Sequence, residues 1–283
     1  MNKNHLQRFR EMFDPVLTAD GYVRRYGVYW HMNLNHSWFC ALWPKSVGQG
    51  RCFEIQFDLG PLWQLAPEAF KKKQDESDYS LELAFARQTG PIYTHWSVPK
   101  DFQTALDLYR QKARAAFGGL HTLDDLYRLE RKLRHSDMVT LSDGARWIEM
   151  LVWLGKTKEA AALVPFMQKW VEDLAAQLDA EEAKYRQKLK AWQDLEPLPK
   201  RLLATEPSIC QTELERIPQR AQRLQDLRHQ ISAIEQRLNG GQPKEWLEEL
   251  TLRNDKTIAF LKTAFSKKEI EWMQTPSSSS SAL

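Results

Sequence analysis

Residues 51–60, Arg51-Cys52-Phe53-Glu54-Ile55-Gln56-Phe57-Asp58-Leu59-Gly60, alternate apolar and polar side chains without a break. Successive side chains on a strand point to opposite faces, so Phe53, Ile55, Phe57 and Leu59 share one face. Cys52, Glu54, Gln56 and Asp58 share the other. Just upstream, Trp38-Phe39-Cys40-Ala41-Leu42-Trp43 is wholly apolar, as a strand buried on both faces would be. The seven residues Pro44 to Gly50 between them are rich in turn formers, which predicts an antiparallel hairpin.

Working outward, Tyr22 to Leu34 reads as another strand. Tyr22, Tyr26, Val28, Trp30, Met32 and Leu34 fall on one face, and Arg25, Tyr29, His31 and Asn33 on the other. Before it, Leu6, Phe9, Phe13 and Leu17 recur at helical spacing, so residues 3–19 are predicted helical and stopped by Asp20-Gly21. Downstream, the alternation of Tyr79, Leu81, Leu83 and Phe85, and of Ile92, Thr94, Trp96 and Val98, predicts two more strands; Leu65 to Phe70 reads as a short helix. Phe102, Leu106, Tyr109, Ala113 and Phe117 trace one helical stripe behind Asp101, an expected N-cap. The first part of the chain is therefore expected to be a helix followed by about five antiparallel strands and a closing helix.

At Gly118-Gly119 the texture changes. The first 120 residues hold 20 of the 31 aromatics, and beyond them the chain is almost all amphipathic helix. A capping box at Thr122 and Asp125 opens one helix, and Ser142 opens another that ends near Gly155. After Lys156-Thr157 a partner helix resumes through Met167, with Pro165 expected to kink it. Val171, Leu174, Leu178, Tyr185 and Trp192 then suggest a heptad seam over 168–194. A cleaner seam places Ile217, Leu224, Ile231 and Leu238 seven apart, with Leu227 and Ile234 between, on a helix expected to start at Pro218. Similar lengths around a Pro-rich connection favour an antiparallel hairpin within the chain; a dimer seam is the alternative. The fold class expected is α+β: a head over 1–118, a helical, coiled-coil-like body over 119–274, and a disordered tail over 275–283.

The net charge is +3, carried entirely by the first 120 residues, since the remainder holds 25 basic and 25 acidic residues. So sparse a basic footprint argues against a nucleic-acid partner. Three cysteines, Cys40, Cys52 and Cys210, give no disulfide framework. The opening Met1 to Leu6 has no apolar core of signal-peptide length, and no apolar run approaches a membrane span. These features lead to the expectation of a soluble, cytoplasmic protein with no membrane contact.

The chain carries no GxGxxG, GxxxxGK[ST], GxSxG or HExxH. His31, His36 and His95 lie near Cys40 and Cys52 in sequence, but their spacings match no zinc signature. No cofactor or metal site and no catalytic residue is expected. Lys71-Lys72-Lys73 could grip phosphate, yet Asp75, Glu76 and Asp78 nearly cancel its field. The strongest candidate surface is the outward sheet face, formed by Arg25, Tyr29 and His31 from one strand with Glu54, Gln56 and Asp58 from another. Arg and Tyr are enriched at interfaces, and carboxylates beside them add selectivity. The structural alternative is that a helix of the body covers this face.

Several residues resemble the bacterial family called domain of unknown function 4304. They are Phe9 to Val16, Asp20-Gly21-Tyr22-Val23-Arg24-Arg25, Trp30, and Phe53 to Gly60. The resemblance covers about the first 100 residues, with Tyr22 in place of the usual Phe and the helical body outside it. It implies a helix, a turn with two basic residues, an aromatic strand and a later strand ending near Gly. The family's association with toxin-immunity neighbourhoods implies a binding role. The function expected is thus non-enzymatic protein binding, by occlusion of a partner, with a homodimer through the helical region also open. A hydrolase or nuclease-like enzyme built on His31, His95, Glu54 and Asp58 is one alternative. Nucleic-acid binding through Arg24, Arg25 and Lys71 to Lys73 is the other.

Overall fold

The computed structural model describes residues 3–25, 27–47, 52–65, 94–95, 99–133, 141–194 and 206–274. It shows an α+β protein that divides into two compact units. One comprises Met1–His135 with Glu248–Leu283, the other Ser136–Leu247. This division does not coincide with the joint expected at 118: the helix after the double Gly and the last two helices group with the sheet. The expected strand at 79–85, the helix at 65–70, the lysine run at 71–73 and the tail beyond 274 lie outside the described residues.

The first unit begins with α1 (Lys3–Ala19), which buries Phe9, Phe13 and Leu17. Its end is a Schellman motif. Tyr22 N–H donates to the Leu17 carbonyl at 2.9 Å and Gly21 N–H to that of Thr18 at 3.0 Å, while Gly21 takes φ +86°. Five strands come next in simple sequential antiparallel order: β1 (Val23–Arg25), β2 (Val28–Asn33), β3 (Trp38–Val47), β4 (Cys52–Pro61) and β5 (Thr94–His95). The β3–β4 hairpin is the one expected, but longer. β3 continues through Pro44 to Val47, which leaves only residues 48–51 between the strands. Pro44 is tolerated because pairing with β2 reaches only Leu42, so β3 has a single neighbour there.

The strand expected over 22–34 is in fact two. Gly27, at φ +86°, lies where the chain folds β1 back onto β2, pairing Arg25 with Val28 and Arg24 with Tyr29. Pairing across three positions reverses parity, so Arg25 shares a face with Val28 and Trp30 rather than with Tyr29 and His31.

Both faces of the sheet are covered. Tyr29, Cys40, Leu42, Phe53 and Phe57 lie under α1 and the helix that comes after the sheet. Phe9 of α1 packs on Tyr29 and on Phe53, with ring centroids 6.2 and 5.8 Å apart. That second helix runs as α2 (Pro99–Leu108), a π turn (Tyr109–Ala113) and α3 (Arg114–Phe117). Its Phe102 and Phe117 meet Phe53 and Phe57 at 4.9 and 5.4 Å. It starts at Pro99, so Asp101 sits in its first turn rather than at the cap. On the opposite face, Trp30, Met32, Phe39, Ala41 and Trp43 form a core with Leu261, Phe265 and Met273, supported by Ile258, Phe260 and Ile270. Those residues come from α9 (Pro243–Ala264) and α10 (Lys267–Gln274). Between the sheet's closing helix and α9 in sequence, α4 (Leu123–Leu133) opens with the predicted capping box. Asp125 N–H donates to Thr122 Oγ1 at 3.2 Å, and Thr122 N–H to the Asp125 carboxylate at 2.9 Å.

The second unit is helical: α5 (Leu141–Trp153), α6 (Thr157–Ala161), α7 (Val164–Gln193) and α8 (Glu206–Asn239). Pro165 does not kink a helix; it opens α7 in the first turn, where its missing N–H has no intrahelical acceptor to satisfy. α8 starts twelve residues before Pro218, which lies inside it. At 30 and 34 residues, α7 and α8 are roughly 45 and 51 Å long at 1.5 Å per residue. Gln168 bonds Glu235 at 3.1 Å and Arg220 bonds Glu181 at 2.6 Å, so the two run antiparallel. Val164, Met167, Val171 and Leu178 of α7, and Cys210, Ile217 and Ile231 of α8, are buried. The heptad seam thus packs within the chain at Val171, Leu178, Ile217 and Ile231, while Leu224, Leu227, Ile234 and Leu238 stay half-buried.

Candidate functional site

The corner where α1 ends gathers several buried polar side chains. The Schellman turn aims Asp20 inward, where its side chain is almost wholly buried. Tyr109 Oη donates to Asp20 Oδ2 at 2.9 Å, and the Arg114 guanidinium lies 3.0 Å from Oδ1. Both partners come from the π turn or its border, which projects them toward the corner. Beside it, Tyr22 Oη and Cys40 Sγ are in contact at 3.5 Å. Burial holds the Cys40 thiol up at about 12, despite the opposing bond from Tyr22. Burial likewise raises Tyr22 and Tyr109, with Cys40 and Asp20 respectively adding charge repulsion. Neither Cys40 nor the two tyrosines ionise to a nucleophile near neutral pH.

His31 is the exception in direction. Burial pulls its pKa down, against smaller upward effects of the Gly21 carbonyl and Asp20. Its Nδ1 lies 3.2 Å from the Gly21 carbonyl oxygen, which can only accept, so the neutral ring carries its proton on Nδ1. Tyr22 and Trp38 flank the ring at 5.3 and 5.4 Å. The corner opens into a cleft of about 320 Å³ at the β2–β3 turn, lined by His31, Asn33, His36, Trp38, His121 and Gln274 among others.

The six residues nominated for a binding face do not form one. Tyr29 and His31 share a face with Cys40, Leu42, Phe57 and Leu59. Gln56 and Asp58 are registered opposite Trp43 and Ala41, on the other face, and Glu54 is paired with Lys45. Arg25 belongs with this second set by the parity reversal. Neither face is outward. Tyr29 is 2% exposed and donates to Asp14 beneath α1, while Gln56 is 6% exposed. The covering helices weighed as the alternative are present, though they come from both ends of the chain. Arg25 reaches Glu269 at 2.8 Å, and Arg24 lies 3.5 Å from Asp14, so both guanidinium groups are engaged by carboxylates.

The enzymatic set is dispersed as well. His95 pairs with Cys52 near the start of β4, whereas His31 reaches β4 through Cys40 at Leu59. Those β4 positions are seven residues apart, roughly 23 Å at 3.3 Å per residue. Cys40 and Cys52 are not joined in a disulfide. Among the described residues, no three His, Cys, Asp or Glu side chains are placed to hold a metal ion. No helix among them is long and apolar enough to cross a membrane.

Sequence reasoning had His31 but not its setting. Asn33, Trp38 and His121 went unremarked as site residues, although Asn33-x-x-His36 is a turn signature that could have marked the cleft's floor. No protein-family model, curated protein or solved structure matches this chain.

Proposed function

We propose that this is a non-enzymatic protein-binding protein that acts by occluding its partner, with the α7–α8 hairpin as its recognition arm. The observation behind this reading is the closure of the sheet on both faces by the protein's own helices. Tyr29 and Gln56 of the nominated face are buried and Arg25 is paired with Glu269, whereas the hairpin offers two long helices with exposed charged surfaces. Ile217 and Ile231 of its apolar seam are already buried against α7, which favours a heterologous partner over a homodimer zipped through that seam. The resemblance of the first 100 residues to domain of unknown function 4304 supports a bacterial immunity or defence setting.

The test uses the full chain as bait in a lysate of its source, beside a variant with Lys184→Glu, Lys190→Glu and Arg223→Glu. These three side chains are exposed on the hairpin. The expected result is a specific protein retained by the parent and lost by the variant, with unchanged circular dichroism. Retention of no protein, or equal retention by both, overturns the proposal.

A further inference from the structure

The cleft at the β2–β3 turn holds two fixed hydrogen-bonding groups of opposite kind, two residues apart on one strand face. The first is His31. Its only hydrogen bond among the described residues runs from Nδ1–H to the Gly21 carbonyl, so Nε2 keeps an unpaired lone pair and can only accept. The ring is held by Tyr22 and Trp38, and by Gly21, where an added Cβ would lie 3.1 Å from Nδ1.

The second is Asn33. Its Oδ1 accepts the backbone N–H groups of Asn35 and His36, each at 3.1 Å. Only an oxygen can accept from two N–H groups, so the amide orientation is settled by chemistry and Nδ2 is left as a donor. Asn33 is paired in register with Trp38, whose indole N–H is aimed at the His121 carbonyl at 3.5 Å. Trp38, Phe117 and Leu120 supply apolar lining beside this pair. A few oriented polar groups against an aromatic wall, in about 320 Å³, are the makings of a small-ligand site.

We propose that this cleft binds a planar heterocycle of nucleobase size that carries a lactam edge, its N–H donated to His31 Nε2 and its carbonyl accepting from Asn33 Nδ2. The lowered basicity of His31 keeps the acceptor available at neutral pH. The cleft suits a single ring system better than a nucleotide, because the volume is at the low end for ligand pockets. This site uses none of the hairpin's residues, and its success or failure leaves the protein-binding reading untouched.

The test is calorimetric titration of the full chain with uracil and hypoxanthine, which have the lactam edge, and with adenine, which does not. Asn33→Asp is the informative variant. It keeps an oxygen to accept from Asn35 and His36 but replaces the donor with a second acceptor. Uracil or hypoxanthine is expected to bind the parent, and binding should weaken at least about tenfold in Asn33→Asp with the melting temperature unchanged. Adenine should bind at least about tenfold more weakly than hypoxanthine. A histidine side-chain nitrogen spectrum should show the Nε2 signal of His31 moving on hypoxanthine addition. No binding of either lactam base at millimolar concentration, equal binding of adenine, or undiminished binding to Asn33→Asp would each overturn the proposal. If Asn33→Asp melts early, His31→Gln with the same titrations replaces it and must show the same loss.

Discussion

Gly21 and His31 hold each other in place. The glycine carbonyl receives the His31 Nδ1 proton at 3.2 Å, and its missing side chain leaves the space the imidazole occupies. Gly21→Ala meets two obstacles at once: a φ of +86°, which L residues disfavour, and a Cβ contact with the ring at 3.1 Å. A loss of about 2–3 kcal/mol is expected, read from the urea midpoint at constant m-value. An unchanged midpoint would mean the corner relaxes freely.

The same imidazole gives the fold a pH dependence. Its folded pKa lies below the unfolded value, so the unfolded chain binds the proton more readily. The contribution of neutral His31 is therefore whole above about pH 6.5 and is lost as pH falls toward the folded pKa. Urea midpoints at pH 8, 7, 6 and 5 should decline over that window, and less steeply in His31→Gln.

Glu269 acts in a more acidic range. The bond from Arg25, aided by those from Ser266, holds its carboxyl below the usual value. Its contribution is present above about pH 4.3 and lost as pH falls through the lower folded pKa. Both partners are partly exposed, so a double-mutant cycle of Arg25→Ala and Glu269→Ala should return only about 0.5–1 kcal/mol at low salt. Coupling that persists undiminished in molar salt would contradict this placement.

In the helical unit, Ile231 is 2% exposed in the α7–α8 seam. Ile231→Ala should cost about 2–4 kcal/mol, seen as early loss of helical ellipticity. Because α7 and α8 pair with each other within the chain, the transition should not shift with protein concentration. A concentration-dependent midpoint would instead point to pairing between chains.

Thiol chemistry separates the cysteines. Cys40 and Cys210 are buried, and the Cys40 thiol is pushed up to about 12. A disulfide reagent at pH 8 should modify Cys52 first and reach all three only after denaturation. Rapid labelling of Cys40 in the native protein would show that the Tyr22 corner opens.

What was legible in the sequence was local. The alternation of residues 52–59, the stripe of α1 and the Thr122–Asp125 box each depend on neighbours within a few positions, and each formed where expected. The split between β1 and β2 was hidden because the alternation continues across Gly27, although pairing across the turn exchanges the faces. Pro218 also misled. A proline disfavours a helix interior, yet α8 continues through it with α7 alongside. The fate of the candidate face lay beyond local reading altogether. Gln56 and Asp58 look like the polar side of a half-wet sheet, and only the core that this side forms with residues near position 260 shows that it is covered.

Those distant covers carry a consequence for how the protein is made. Trp30, Met32, Phe39 and Trp43 are translated more than two hundred residues before Leu261, Phe265 and Met273. The nascent sheet therefore stays greasy on one side throughout elongation of the entire helical insert, a window in which chaperone shelter matters most.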